Sequence, residues 1–404
     1  MTNRRIAIAG IAGLLAASMA LTGCGSRNAE PSATTGAKKV VKIGLIAPLS
    51  GGLSAMGTGM RNSVDLAVKQ ANAKGTIPGW EIQFVAEDDQ ASPDAGKNAA
   101  TKLTGDKDVI GVVGPLNSSV GQAIQPILES AGIPLVSPAN TNPTLTKGAD
   151  LTAPKRAYTT YFRTCTTDDV QGPFAAKYLL EAGIKQVATV HDKKAYGQGL
   201  VTAFADAFTK GGGTVVAAET INPDDKDFSA VVTKIKNAGP KALYYGGEYP
   251  QSGPLSQQMK NAGLNIPLMG GDGMYDKAYI ELAGAGSAGD LATSVGAPAE
   301  TLASAKSFID AYKAGGYKED YSAYGTYAYD AGQAIIEALK VSLASATDVA
   351  SAKKATVTAL GKVNFAGASG QVAFDQYGDS TSRVLTVYKV EGGKWVPAKT
   401  EDFK

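Results

Sequence analysis

The chain has 404 residues, 44% hydrophobic, 19% charged and 7% aromatic, which suits a soluble protein of roughly two domains of ~150 residues and excludes disorder and collagen. Its 39 basic and 37 acidic residues leave a formal charge of +2, too little for an electrostatic grip on nucleic acid or an anionic membrane. Two cysteines and one histidine leave little room for metal sites or for most nucleophile and base pairs, so the composition points to a binder.

Arg4 and Arg5 open the chain, and Ile6 to Leu21 runs apolar and small with Ser18 as its only polar side chain. The run is shorter than the ~20 residues of a spanning helix and ends at small residues, so residues 1–23 are predicted to be a secretory signal. Leu21-Thr22-Gly23-Cys24 resembles the lipobox of bacterial lipoproteins, which implies cleavage before Cys24 and lipidation of its thiol. Removal of Arg4 and Arg5 takes the 39 basic residues to 37, equal to the 37 acidic ones. Cys165 is then the only free thiol and is expected to be buried and inert. Residues 24–39, rich in Ser, Thr, Ala, Gly and charge, are predicted to be a flexible tether.

Strands and amphipathic helices alternate from Val40. Strands are predicted at 40–46, 81–86, 109–113 and 133–136, with helices at 62–73, 94–103 and 120–131 between them. After the loop-rich stretch 138–168 the alternation resumes, with helices at 169–182, 198–210, 228–237 and 253–262 and strands at 186–190, 214–219, 242–245 and 266–269. Helices at 301–314, 326–344 and 348–360 and strands at 371–375 and 383–390 follow. Parallel βαβ units with right-handed crossovers account for this pattern, in two α/β lobes of similar plan. The late helices are expected to return to the first lobe and the last strands to the second. That makes lobe 1 residues 40–167 plus 297–380 and lobe 2 residues 168–296 plus 381–404, with hinges near 163–168, 293–298 and 376–384.

Motifs of catalysis are not matched. His191 has no G-x-S-x-G serine to serve, no phosphate loop occurs, and the early Gly51–Gly57 run lacks dinucleotide spacing. Ser351-Ala352-Lys353-Lys354 matches S-x-x-K without its companion motifs and is read as helix surface. Asp88-Asp89, Asp168-Asp169 and Asp224-Asp225 are read as turn or cap residues. No cofactor and no metal site are expected.

Ligands of open α/β sheets collect at the carboxyl ends of strands. After strand 109–113, Gly114 to Ser119 leads into a helix and places Ser118 or Ser119 at its N-cap, a site suited to a carboxylate. Ser137 to Pro143 follows the next strand with hydroxyl, amide and carbonyl groups. In the second lobe, Glu248 and Asp272 each follow a strand and adjoin glycines, where a carboxylate can meet an ammonium. Tyr196 follows strand 186–190 and can cover a ligand; His191 is read as a satisfied loop residue, and Tyr275, Tyr324 and Tyr327 as possible cleft rings.

The chain from Val40 to about Asp379 resembles the branched-chain amino-acid binding proteins of bacterial ABC transporters. The resemblance is carried by Gly44-Leu45-Ile46-Ala47-Pro48-Leu49-Ser50-Gly51, Val112-Val113-Gly114, Ser118-Ser119, Ser137-Pro138-Ala139-Asn140-Thr141-Asn142-Pro143, Gln171-Gly172-Pro173, Tyr196-Gly197 and Tyr244-Tyr245-Gly246-Gly247. It implies the type I periplasmic binding fold, with two Rossmann-like lobes, parallel-rich sheets and three hinge crossovers. It also implies ligand contacts at Ser118, Ala139 and Thr141, a covering Tyr196 and an ammonium-binding Asp272. The pocket departs from the family at Glu248, often tyrosine, at Asp272, commonly glutamate, and at Met56, commonly aromatic; Asn117 replaces a cysteine that forms a disulfide in some relatives.

The resulting expectation is a monomeric lipoprotein on the outer face of the cell membrane. It binds a small amino acid, foremost Leu, Ile or Val, and delivers it to an ABC permease and its ATPase subunits, without nucleic acid and without catalysis. The alternatives are an amide, urea or another small carboxylate in the same fold, or a ligand-sensing subunit for a membrane kinase.

Overall fold

The computed structural model describes residues 38–404, which form one compact unit. The signal, Cys24 and all but the end of the tether lie outside the described residues. Among those described, no helix is long and apolar enough to cross a membrane.

The first five strands are β1 (Lys39–Ala47), β2 (Trp80–Asp88), β3 (Val109–Val113), β4 (Leu135–Ser137) and β5 (Tyr161–Arg163). They form an all-parallel sheet in the order β2-β1-β3-β4-β5. Such a sheet is covered on both faces, so its middle strand β3 is apolar throughout. All five residues of β3 are buried. Along β1, Val41, Ile43 and Leu45 join one cluster with the helices Ser54–Ala73 and Gly325–Ser342, whereas Ile46 joins the opposite cluster with Pro93–Gly105 and Ser118–Ala131. Gly111 is in β3 because Ile335 crosses it, and a Cβ there would lie 2.9 Å from that side chain.

The second sheet uses β6 (Gln186–His191), β7 (Thr214–Thr220), β8 (Ala242–Gly246), β9 (Leu268–Gly270) and β10 (Leu291–Ser294). A small hairpin, β11 (Asn364–Gly367) with β12 (Gly370–Ala373), stands apart, and β13 (Val384–Glu391) and β14 (Lys394–Asp402) complete the second sheet in the order β14-β13-β10-β9-β8-β6-β7. β13 and β14 run antiparallel to their neighbours. Helices Asp168–Glu181 and Ala195–Lys210 pack on one face through Phe174, Leu200, Phe204 and Phe208, with Phe204 stacked on Tyr244 at 3.6 Å. Helices Ser229–Ala238 and Tyr249–Asn261 cover the other through Val232, Ile235, Leu255 and Met259.

Several elements depart from the periodicity reading. The first helix begins at Ser54 rather than 62, because Gly57 and Gly59 pack against the backbone of Pro48 and Tyr321 and so extend the helix through a glycine-rich stretch. β5 and β10, three and four residues long, show no period of their own. β11 and the charged edge strand β14 are additional; β14 is specified by the Gly392-Gly393 turn, both residues at positive φ, which folds it back on β13.

The passages between the sheets follow β5, follow β10 and precede β13. Arg163, at the end of β5, is fully buried. Its Nε donates to Asp379 Oδ1 at 2.7 Å, one terminal nitrogen donates to the carbonyls of Asn140 and Asn142 at 2.6 and 3.0 Å, and the other donates to Thr146 Oγ1 at 2.6 Å. The pair therefore ties the first passage to the third and both to the loop 137–143. Removing one member of a buried pair strands the other charge, which costs about 3–5 kcal/mol. Asp379→Ala should lower the urea-unfolding free energy by about that amount; a loss below ~1 kcal/mol would place the pair among ordinary surface bridges.

Candidate functional site

The carboxyl ends of both sets of parallel strands face one cleft, and the loops that follow them form its walls. On the first wall, Asn117 is the N-cap of helix Ser118–Ala131, yet no side chain caps that helix. This corrects the placement of Ser118 or Ser119 at the cap: Ser118 is the first helical residue. Its Oγ accepts the backbone N–H of Asn142 at 3.4 Å, while Ser119 Oγ accepts that of Ala195 across the cleft at 3.1 Å. The uncapped helix start is open to an anion.

Ser137 pins the next loop, donating to the Pro115 carbonyl and accepting from the N–H groups of Ala139 and Asn140. Arg163 holds the carbonyls on either side of Thr141. Ala139 and Thr141 are thereby fixed and buried, and Thr141 Oγ1 has no hydrogen-bond partner.

On the second wall, Asp272 begins a short turn after β9 and is buried. Its Oδ1 accepts from the Tyr196 hydroxyl at 2.7 Å and from Gln171 Nε2 at 3.0 Å. Its Oδ2 accepts from the Tyr324 hydroxyl at 2.6 Å, which reaches over from the helices of the first sheet. Gly271 permits this arrangement, since a Cβ there would lie 2.4 Å from the Tyr196 hydroxyl. Burial pushes the Asp272 carboxyl above its ordinary range despite these donors.

Asp168, read as a cap or turn residue, differs from the other acidic pairs. Asp88 accepts from the N–H groups of Leu49, Ser50 and Gln90, and Asp225 from that of Asn222. Asp169 pairs with Lys147 at 2.6 Å. Asp168 is fully buried, and neither of its oxygens has a hydrogen-bond partner. Burial and then the nearby Asp272 carboxylate raise its pKa well above the usual value, against the smaller opposing effects of the neighbouring Thr141 hydroxyl and the Arg163 charge.

Glu248 also lies in the cleft, already paired. Its Oε2 receives Lys194 Nζ at 2.5 Å and its Oε1 receives Asn117 Nδ2 from the opposite wall at 2.7 Å. Burial alone would raise its pKa; the Lys194 ammonium and Asn117 outweigh that and hold it below the usual carboxylate range. Lys194 also lies 3.2 Å from Asp192, which burial and Glu248 push upward. Lys194 was not singled out from the sequence because it sits in a loop with no pattern to mark it.

Met56, Asn117, Ala139, Tyr196, Glu248 and Asp272 line one small cavity with Leu116, Gly273 and Tyr324. Ser118 and Thr141 are buried in the loops behind that lining. Tyr275 stacks on Tyr388, and the Tyr327 hydroxyl bonds the Val295 carbonyl, so neither ring reaches this cavity. His191 Nδ1 accepts the Lys193 N–H, and the Cys165 thiol is buried with its pKa pushed up by that burial.

Residues 40–394 match a family model described as periplasmic binding protein. A Leu/Ile/Val-binding protein of Rhizobium johnstonii is 36% identical over 362 residues, 89% of this chain and 94% of its own. A leucine-, isoleucine-, valine-, threonine- and alanine-binding protein of Pseudomonas aeruginosa is 33% identical over 355 residues, 87% of this chain and 90% of its own. The branched-chain amino acid transporter substrate-binding protein of Streptococcus pneumoniae, solved with isoleucine, has a TM-score of 0.80 at 29% identity and covers 90% of this chain and 99% of its own.

A carboxyl whose folded pKa is raised makes the fold less stable above that pKa, and the loss is relieved as pH falls towards the unfolded value. Asp168→Asn should therefore raise the melting temperature of the unliganded protein at pH 7. It should also flatten the rise in stability on acidification. An unchanged pH profile in thermal melts would show that the Asp168 carboxyl is solvated in solution.

Proposed function

The chain belongs to the periplasmic binding protein family and has its type I fold, and from this premise we propose that it is the extracytoplasmic substrate-binding lipoprotein of an ABC importer. It captures a small amino acid of the leucine, isoleucine and valine class between two lobes, 40–167 with 297–380 and 168–296 with 381–404, and passes it to a permease driven by ATPase subunits. Lipidated Cys24 holds it at the outer face of the membrane.

The observation that carries this reading is the opposition of an uncapped helix start at Ser118 to the buried acid Asp272, which lines the cavity with Asn117 and has the buried Asp168 carboxyl near it. The α-carboxylate is received by the first-turn N–H groups and the Ser118 hydroxyl. The α-ammonium is received by Asp272, Asp168, the Thr141 hydroxyl and the Ala139 carbonyl. Charge-assisted bonds in such a place contribute about 1.5–3 kcal/mol each. Met56, Leu116 and Tyr324 supply the apolar wall for the side chain, and Tyr196 covers it.

Closure is supported by bonds between the two walls: Asn117 to Glu248, Tyr324 to Asp272, Asn142 to the Ala195 carbonyl at 2.6 Å, and Tyr249 to the Gly52 carbonyl at 2.6 Å. A ligand that touches both walls adds to this set only in the closed state and shifts the population towards it. The lobes turn about the passages near 163–168, 293–298 and 376–384.

Isothermal titration of the mature protein, refolded free of copurified ligand, should give saturable binding to amino acids of this class and none to urea or short amides. Asp272→Ala should weaken binding by about 100-fold, the loss of one or two charge-assisted bonds. Because the ammonium favours ionised Asp168, binding releases protons, and affinity falls as pH drops through the raised free-state pKa of Asp168. Binding of urea or an amide in preference to every amino acid tested overturns the reading.

A further inference from the structure

We propose that Asn117 reads the side chain of the bound ligand and selects one that carries a hydrogen-bond donor, ranking L-threonine above its isostere L-valine; this rests on the amino-acid reading above. Asn117 stands at a helix N-cap, where its side chain would ordinarily serve the helix, and it does not. Its amide is committed elsewhere: Nδ2 donates to Glu248 Oε1 at 2.7 Å.

Glu248 is buried and receives the Lys194 ammonium on its other oxygen at 2.5 Å. An ionised carboxylate only accepts, so the Asn117 amide must present its nitrogen to Glu248, which fixes the carbonyl oxygen on the other side of the group. That oxygen, Oδ1, is buried and has no partner.

The remaining geometry restricts what can satisfy it. The charged ends of the ligand are allotted to the helix start and to Asp168, Asp272 and Thr141. The wall left for the side chain is Met56, Leu116 and Tyr324, with Asn117 and Glu248 beside them. Both Glu248 oxygens are occupied, so Glu248 is a positioning residue and Asn117 Oδ1 is the acceptor that faces selection. A methyl group against it leaves a buried acceptor unmade, whereas a hydroxyl of the same size completes it, and sites of this kind discriminate strongly against the analogue that lacks the donor.

The experiment is calorimetric titration of the ligand-free mature protein with L-threonine and with L-valine. Wild type should bind threonine about tenfold or more tightly. Asn117→Leu should reverse the order, and Glu248→Gln, which accepts either orientation of the amide, should bring the ratio towards one. Circular dichroism establishes that each variant is folded; should Asn117→Leu fail to fold, the ratio in Glu248→Gln decides. Valine bound as tightly as threonine by wild type, or a ratio unmoved in a folded variant, overturns the proposal while leaving amino-acid binding intact. Heat from neither amino acid overturns both.

Discussion

The cleft depends on a guanidinium with no exposure to water. Arg163 is fully buried, and a charge in that position is tolerated only where its donors are met. Asp379, Thr146 and the carbonyls of Asn140 and Asn142 meet them. Each partner belongs to a different requirement of the fold: Asp379 to the segment returning to the second sheet, the carbonyls to the loop that carries Ala139 and Thr141, and Thr146 to the short helix after it. Because both carbonyls flanking Thr141 are held, its hydroxyl has little freedom to turn away. The same charge lowers the pKa of Asp168, against the larger effect of burial. The passages between the sheets, the conformation of the loop 137–143 and the pKa of Asp168 are thus coupled through one side chain.

The second wall carries an excess of acid. Asp168, Asp192, Glu248 and Asp272 are all buried, and Lys194 lies within ion-pair distance of Glu248 and Asp192 alone. In a region of low dielectric such a group of carboxylates attracts a cation; Asp168, Asp192 and Asp272 are raised, and Glu248 is held down by Lys194. Lys194 neutralises one end of the cluster and, through Glu248 and Asn117, binds the two walls together. Asp272 has only neutral donors, Tyr196, Gln171 and Tyr324. The cluster therefore divides into a part whose charge is balanced within the chain and a part whose charge is not, and only the second can gain from an ammonium.

Several residues that line the cavity follow strand ends, and their places are legible in the sequence because they depend on topology. The uninterrupted apolar run Val109–Val113 can hardly be anything but a central parallel strand, and the loop after it must open on the cleft. The same logic places Tyr196, Glu248 and Asp272 at strand ends that line the cavity. What it could not reach were facts of pairing. Glu248 and Lys194 are 54 positions apart and Asn117 a further 77, so no local pattern shows that Glu248 is already neutralised. Asp168 reads as a turn or cap residue because Tyr161–Arg163 is too short to announce itself, and without that strand the nearness of Asp168 to Asp272 is not apparent. Edge strand Lys394–Asp402 reads as loop because its charges and Pro397 protect an exposed edge.

Burial alone does not set Asp168 apart from the other buried acids of this molecule; its want of donors does. Asp290 is buried and accepts from Ser256, Tyr279, Lys260 and the Leu268 N–H. Asp330 is buried and accepts from the N–H groups of Ala368 and Ser369 and from the Ser369 hydroxyl. Each fastens a turn or strand end and has nothing further to offer. Asp168 has equal burial without a bond of good geometry to either oxygen, its neighbour the Thr141 hydroxyl included, and the Asn117 carbonyl oxygen is unpartnered as well. Such groups destabilise the fold that holds them. A carboxylate gains most from a cationic donor and a neutral carbonyl oxygen from a neutral one, so the two kinds of group would be met by different parts of one small molecule.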